Sequence, residues 1–232
     1  KTEEEAKRIA AACEKKQAVV SSLKRETKTV NPPKLYDLTT LQREANRYYG
    51  FTAQQTLELV QSLYEKKLLT YPRTDSQFLT EDMEGTARQV ISIVCRKLPL
   101  FIGLSHEPDI QRVINNAKVT DHHAIIPTVQ LDTQDIGELP QSEQKILSLI
   151  GMRLLAATGE KHLYDETRIT VLCEGYEFKA KGKTVVQDGW KSIEMRFRAS
   201  LDGKEKDEPE HSLPSLNEKD ILSSVDSSVT EH

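Results

Sequence analysis

The 232 residues hold 37% hydrophobic and 29% charged side chains, with 32 basic against 36 acidic groups for a formal net charge of -4, and the mean hydropathy is -0.54. That balance excludes a disordered, charge-dominated chain, and no apolar run approaches the roughly 20 residues needed to cross a bilayer. Net acidity by itself argues against nucleic acid, whose phosphates demand Lys and Arg, yet residues 201–232 carry 3 basic and 9 acidic side chains, so residues 1–200 are +2.

In chain order, Thr2-x-x-Glu5 is a capping box, and Ala6, Ile9, Ala10 and Cys13 at helical spacing predict a helix over 2–16. Ala18 to Val30 mixes β-branched and charged residues and predicts one exposed strand, stopped by Asn31-Pro32-Pro33. Two further capping boxes, Thr39-x-x-Gln42 and Thr52-x-x-Gln55, flank Gly50 and predict a helical hairpin; a short apolar run, Leu68 to Tyr71, leaves the second helix and breaks at Pro72. A helix from Thr80 to about Lys97 carries Met83, Ala87, Val90, Ile91 and Val94 on one face. Residues 99–141 have little periodicity and four prolines, which predicts loops with short extended pieces. A last helix starts near Ser142 and ends at Gly159.

Beyond it the period changes to two. Ile169, Val171 and Cys173, then Tyr176, Phe178 and Ala180 across Glu174-Gly175, predict a β-hairpin with one wet side, and Leu213 to Val225 suggests a final strand. With strands near both ends and helices between, the expected class is α+β: a helical region of 37–160 inserted into a β-rich unit built from 1–36 and 161–232. Cys13, Cys95 and Cys173 stand about 80 residues apart without a C-x-x-C pair, which predicts neither a zinc site nor a disulfide framework and suits a reducing cytosol. The chain begins with Lys1 rather than Met, and we expect it to be part of something longer.

Chemistry concentrates in two clusters. Leu69-Thr70-Tyr71-Pro72-Arg73-Thr74-Asp75-Ser76 packs a phenol, a guanidinium, hydroxyls and a carboxylate into eight residues. A tyrosine can serve as a covalent nucleophile, but a free phenol of pKa about 10 needs cationic help at neutral pH. Arg73 offers a permanent charge and a fork suited to phosphoryl oxygens. The plain alternative is an exposed polar turn. The second cluster, Thr120-Asp121-His122-His123-Ala124-Ile125-Ile126-Pro127-Thr128, suggests metal at first sight, but neighbours on an extended segment face opposite ways and do not easily serve one ion. There is no Asp-x-Asp, no Gly-rich phosphate loop, no G-x-S-x-G and no H-E-x-x-H.

Together the clusters resemble the two signatures of type IA DNA topoisomerases: residues 69–76 look like the active-site tyrosine motif, and residues 120–128 look like the second motif in its topoisomerase III form. Leu35 to Leu38, Leu41 to Ala45, Gly50 to Ala53 and Leu63 to Glu65 also resemble the family in order and spacing. The resemblance implies that Tyr71 forms a 5′-phosphotyrosyl link with single-stranded DNA, that Arg73 stabilises the phosphoryl charge, and that His122 assists cleavage. It gives Gln61, Glu65, Thr70, Thr74 and Asp75 supporting contacts to DNA. It further implies Mg²⁺ held by a Toprim domain not found in these residues, with no metal site here, and a β-rich strap joining the remaining domains of the same polypeptide. The expected setting is the cytoplasm of a bacterium, without a membrane partner, and these residues alone are expected to be inactive. Two readings compete: a non-catalytic single-strand-binding module in which Tyr48, Tyr49, Tyr64 and Tyr71 stack on bases, and a tyrosine recombinase, which needs dispersed Arg and His partners around a C-terminal tyrosine.

Overall fold

The computed structural model describes residues 2–201 and 213–230, so the most acidic stretch, residues 202–212, lies outside the described residues. In chain order the elements are α1 (Glu3–Cys13), β1 (Ala18–Val30), α2 (Leu38–Tyr49), α3 (Ala53–Glu65), α4 (Glu84–Lys97), α5 (Gln141–Ala157), β2 (His162–Cys173), β3 (Tyr176–Gln187), α6 (Lys191–Ala199) and β4 (Ile221–Leu222), with short 3-10 turns scattered between Glu81 and Glu138. The class is α+β. The chain divides into two compact units, one of residues 1–29, 163–187 and 207–232, the other of residues 30–162 and 188–206.

The first unit is a four-stranded sheet in the order β3-β2-β1-β4. Its β2/β3 hairpin runs from Leu163 opposite Gln187 to Cys173 opposite Tyr176. Glu174 and Gly175 both have positive φ, the twist a two-residue turn needs. The hairpin is therefore longer than the period-two pattern predicts. Its third strand also departs from the expected single wet side. Phe178 is 40% exposed and Ala180 is exposed too, because this face of β3 is only partly covered: Phe178 borders a cavity shared with Ile9 and Ala10 of α1. The small core is Cys13, Ala18 and Cys173, with Ile9, Val171, Tyr176, Leu222 and Val225 packed around it. Of the strand expected over 213–225 only Ile221 and Leu222 pair, opposite Val19 and Ala18.

The second unit has α5 at its centre. Eleven of its 17 residues are buried, around most of its circumference, so it is an interior helix rather than a surface one. Gly151 lets the end of α4 come close: a Cβ there would sit 2.5 Å from Leu98 Cδ1. At the start of α5, the buried Glu143 accepts hydrogen bonds from Ser62 Oγ (2.8 Å) and Lys66 Nζ (2.7 Å), which anchors the end of α3. Of the predicted helix boxes, Thr52 with Gln55 caps α3 reciprocally, and Gly50 closes α2 at φ 71°. The first box is displaced, since Asp37 with Thr40 caps α2 instead of Thr39 with Gln42.

Helix α6 was not expected, as its residues fall in the segment 161–232 read as β-rich; it packs in this unit through Ile193 and Phe197. Its approach is set by Gly189 at φ 52°, where a Cβ would lie 2.3 Å from the Lys161 carbonyl, and by Trp190, whose indole N–H donates to the Val30 carbonyl at 3.2 Å.

Candidate active site

The two clusters, about 50 residues apart in the chain, meet because both leave regular structure as extended segments whose backbone groups need partners. After α3 the chain reverses at Lys67, which has φ 62°, and Leu68 N–H returns to the Leu63 carbonyl at 2.9 Å. The next residues run antiparallel to the second cluster. Thr128 N–H donates to the Leu68 carbonyl (3.0 Å), and Thr70 N–H donates to the Ile126 carbonyl (3.0 Å). Leu69 lies opposite Pro127. On its other side the second cluster pairs with residues before α2, since Ile125 N–H donates to the Tyr36 carbonyl at 2.9 Å. Residues 124–128 are thus the middle of three extended segments, which explains the apolar Ala124-Ile125-Ile126, all buried.

Side chains complete the clamp. Thr70 Oγ1 accepts from Ile126 N–H (3.0 Å) and donates to the Ala124 carbonyl (3.1 Å). The buried Thr74 donates from Oγ1 to the His122 carbonyl (2.8 Å), while Ser76 donates to the Lys118 carbonyl (2.9 Å). Between these anchors stands Tyr71, half-buried, its ring centroid 4.2 Å from that of His122 and 5.5 Å from that of Tyr64, the latter nearly perpendicular at 82°. The Tyr71 hydroxyl has no hydrogen-bond partner among the described residues. Lys118 and Lys34 place their ammonium groups 5.1 and 5.5 Å from the Phe78 ring, so cations gather beside the loop.

The structure therefore brings together Tyr71, His122, Thr70 and Thr74. Arg73 and Asp75 are exposed on the same loop and form no ion pair among the described residues, and no hydrogen bond or ring contact joins Arg73 to the phenol or the imidazole. Gln61 and Glu65 hydrogen-bond each other at 3.1 Å on the outer face of α3, one residue from Tyr64 in Glu65's case. Tyr64, which the sequence offers to the stacking reading, is 38% exposed and borders Tyr71. Its position at the last turn of α3, seven residues before Tyr71, is the sequence signal for that contact. Among the described residues no group of three or more His, Cys, Asp or Glu side chains is placed to hold a metal ion.

Thr70→Val tests the clamp. The isosteric change leaves Ile126 N–H, which is buried, without that acceptor, and we expect a loss of about 1–3 kcal/mol in denaturant-induced unfolding. A loss indistinguishable from zero would mean the hydroxyl does not hold the two segments together.

Comparison with known proteins decides the family. The bacterial topoisomerase family model, described as DNA topoisomerase, matches residues 1–232. The chain belongs to the type IA DNA topoisomerases. Relatives to which it is similar include DNA topoisomerase 3 of Bacillus subtilis, 39% identical over 212 residues that make up 89% of this chain and 29% of the relative. Another is DNA topoisomerase 3 of Bacillus licheniformis, 39% identical over 230 residues, 93% of this chain and 30% of the relative. Among solved structures, full-length topoisomerase I from Thermotoga maritima superposes with a TM-score of 0.68 at 25% identity, over 96% of this chain and 35% of that one. The topoisomerase chain thus spans about 30% of the length of the curated relatives it matches.

Proposed function

We propose that this chain carries the strand-cleaving tyrosine of a type IA topoisomerase, with Tyr71 as the nucleophile toward single-stranded DNA. The observation that supports this best is the Tyr71 phenol, free of hydrogen bonds among the described residues and packed at a tilt of 41° against His122, ring centroids 4.2 Å apart, on a loop pinned from both sides. In the reaction Tyr71 Oη attacks a phosphorus atom and loses its proton. The bond from phosphorus to the 3′ oxygen breaks, that oxygen takes a proton, and the protein holds a 5′-phosphotyrosyl link. Attack by the freed 3′ hydroxyl reverses each step and reseals the strand, so that another strand passes while the break is held. His122, against the phenol, is the group placed to exchange a proton near the scissile bond. Arg73, unpaired on the same loop, is available to a phosphoryl oxygen once DNA binds. Thr70 and Thr74 position the loop, and Gln61, Glu65 and Asp75 line the approach. In this reading the helical unit, residues 30–162 with 188–206, presents the nucleophile, and the sheet of β1 to β4 belongs to the strap.

Mg²⁺ belongs to this chemistry in the intact enzyme, but the described residues do not fit a site for it, and no step here runs through it. The proposed setting is the bacterial cytoplasm, with the other domains of the same polypeptide as partners.

Trapping the intact enzyme on a single-stranded oligonucleotide, followed by proteolysis and mass spectrometry, is expected to map the nucleotide adduct to Tyr71; an adduct on any other residue sinks the reading. The 232-residue chain by itself is expected not to relax supercoiled plasmid, since among its described residues no acidic cluster is placed to hold a metal ion beside the nucleophile. Relaxation by the purified chain would show that the nucleophile suffices. The competing stacking module is disfavoured by Tyr48, which is 8% exposed with its ring 5.3 Å from Phe197, edge to face, and is closed to bases.

A further inference from the structure

The sheet of the first unit segregates its charges by face, and parity along the strands shows how. Successive residues of a strand point to opposite faces, and residues paired across antiparallel strands share one. Opposite partners Arg168 with Lys181, Thr170 with Lys179 and Glu166 with Lys183 put Lys179, Lys181, Lys183 and Arg168 on one face. Thr167 and Gly182 belong to the other, where with Arg25 and Leu213 to Leu216 they line a cavity of about 190 Å³. Thr27 Oγ1 donates to Asp165 on that second face at 2.7 Å. Alternation from Arg25 and Thr27 then places Lys24, Glu26 and Lys28 on the same face as the lysines of β3, with β2 between them.

The first face therefore carries Lys24, Lys28, Arg168, Lys179, Lys181 and Lys183 against Glu26, Glu166 and Glu177, a net +3, whereas the second carries Arg25 against Asp165 and is neutral. All the lysines of β3 lie on the face opposite the buried Gly182 and opposite Phe178, which borders α1 across a cavity. The acids are already engaged. Glu166, its side chain 6% exposed, is held between Arg168 (2.6 Å) and Lys181 (2.8 Å), and Glu26 pairs with Lys28 (2.7 Å). Lys24 and Lys183 have no ion pair among the described residues, and Lys179 has only Glu177 at 3.9 Å with 76% of its side chain exposed. Lys183 lies 5.2 Å from the centre of the Tyr164 ring, which presents an aromatic surface on the same face.

We propose that this face is a second nucleic-acid surface, separate from the Tyr71 loop, which tracks the phosphate backbone of an extended single strand. Lysines at every second position of β3 recur about every 6.8 Å, a spacing comparable with that of successive phosphates on an extended strand, and Tyr164 offers a base a stacking partner. The face binds by charge and without sequence preference.

The test is fluorescence anisotropy of a labelled oligothymidylate strand with the 232-residue chain across a salt series. The triple variant Lys24→Gln, Lys179→Gln, Lys183→Gln removes the three least neutralised cations and leaves Arg168 and Lys181 to hold Glu166. We expect a roughly tenfold to hundredfold weaker association at moderate salt and a fall of about 2 in the magnitude of the slope of log K against log salt, three contacts at about 0.7 each. Arginine at the same three positions is expected to restore binding, and Arg25→Gln, on the neutral face, to leave affinity within about twofold. Unchanged affinity and slope in the triple variant, or no salt-dependent binding by the parent chain, overturns the proposal. Because this readout needs no nucleophile, failure to find a Tyr71 adduct in the intact enzyme would sink the cleavage reading and leave the binding surface standing.

Discussion

Replacing Tyr71 with Phe in the intact enzyme is expected to abolish covalent adducts on single-stranded DNA and lower strand passage by on the order of 10⁵-fold or more, the scale on which removal of a covalent nucleophile acts. Only an oxygen is lost, and that oxygen has no hydrogen-bond partner among the described residues, so folding stability should move by less than about 0.5 kcal/mol. The ring contacts with His122 and Tyr64 remain. Gel-resolved adduct formation measured beside thermal unfolding separates the two effects. A Phe variant that still forms adducts removes Tyr71 from the chemistry, and one that unfolds early shows that the hydroxyl has a structural duty absent from this geometry.

The second large effect lies behind the site. Tyr36 is fully buried, its hydroxyl donates to Glu44, and Arg153 completes the cluster by an ion pair with Glu44, with its guanidinium 4.3 Å from the Tyr36 ring. Burial raises the Tyr36 phenol well above its ordinary pKa, so it stays protonated and remains a donor. Arg153 also donates to the Lys34 carbonyl at 3.3 Å, which ties α5 to the extended segment that pairs with Ile125. Glu44→Ala leaves a largely buried guanidinium and a buried hydroxyl without their acceptor, and the expected cost is about 3 kcal/mol in denaturant-induced unfolding. Glu44→Gln, which keeps an acceptor for the phenol but loses the ion pair, should fall between. A loss below about 1 kcal/mol for Ala would mean water replaces the carboxylate and the cluster does not brace the second signature.

How legible the molecule was depended on the range of the interactions involved. The helices of the tyrosine-bearing unit could be read because their determinants are local: Thr52 and Gln55 close a box three residues wide, Gly50 accepts a left-handed backbone, and Leu41, Ala45 and Tyr48 recur at helical spacing. Helix α6 could not, since nine residues with two charged arginines make a weak helix alone, and only Gly189, Trp190 and the burial of Ile193 and Phe197 hold it in place. The same limit misplaced the cap of α2. Asp37 and Thr39 are both good capping residues, and the choice fell to Asp37, whose neighbour Leu38 is fastened by its N–H to the Thr74 carbonyl at 3.1 Å, a contact 36 positions away along the chain.

The candidate site divides along the same line. Residue order alone carried the candidate nucleophile, its neighbouring Arg and the two histidines, because side-chain chemistry and motif spacing are properties of the chain itself. Tertiary structure decided the rest: that His122 rather than Arg73 lies against the phenol, that Thr70 and Thr74 are clamps, that Tyr64 borders the ring, and that Lys24 and Lys28 of β1 share a face with the lysines of β3. The clamps and the place of His122 follow from hydrogen bonds between segments tens of residues apart, and such pairings are chosen by the packing of the whole unit, which no local pattern encodes.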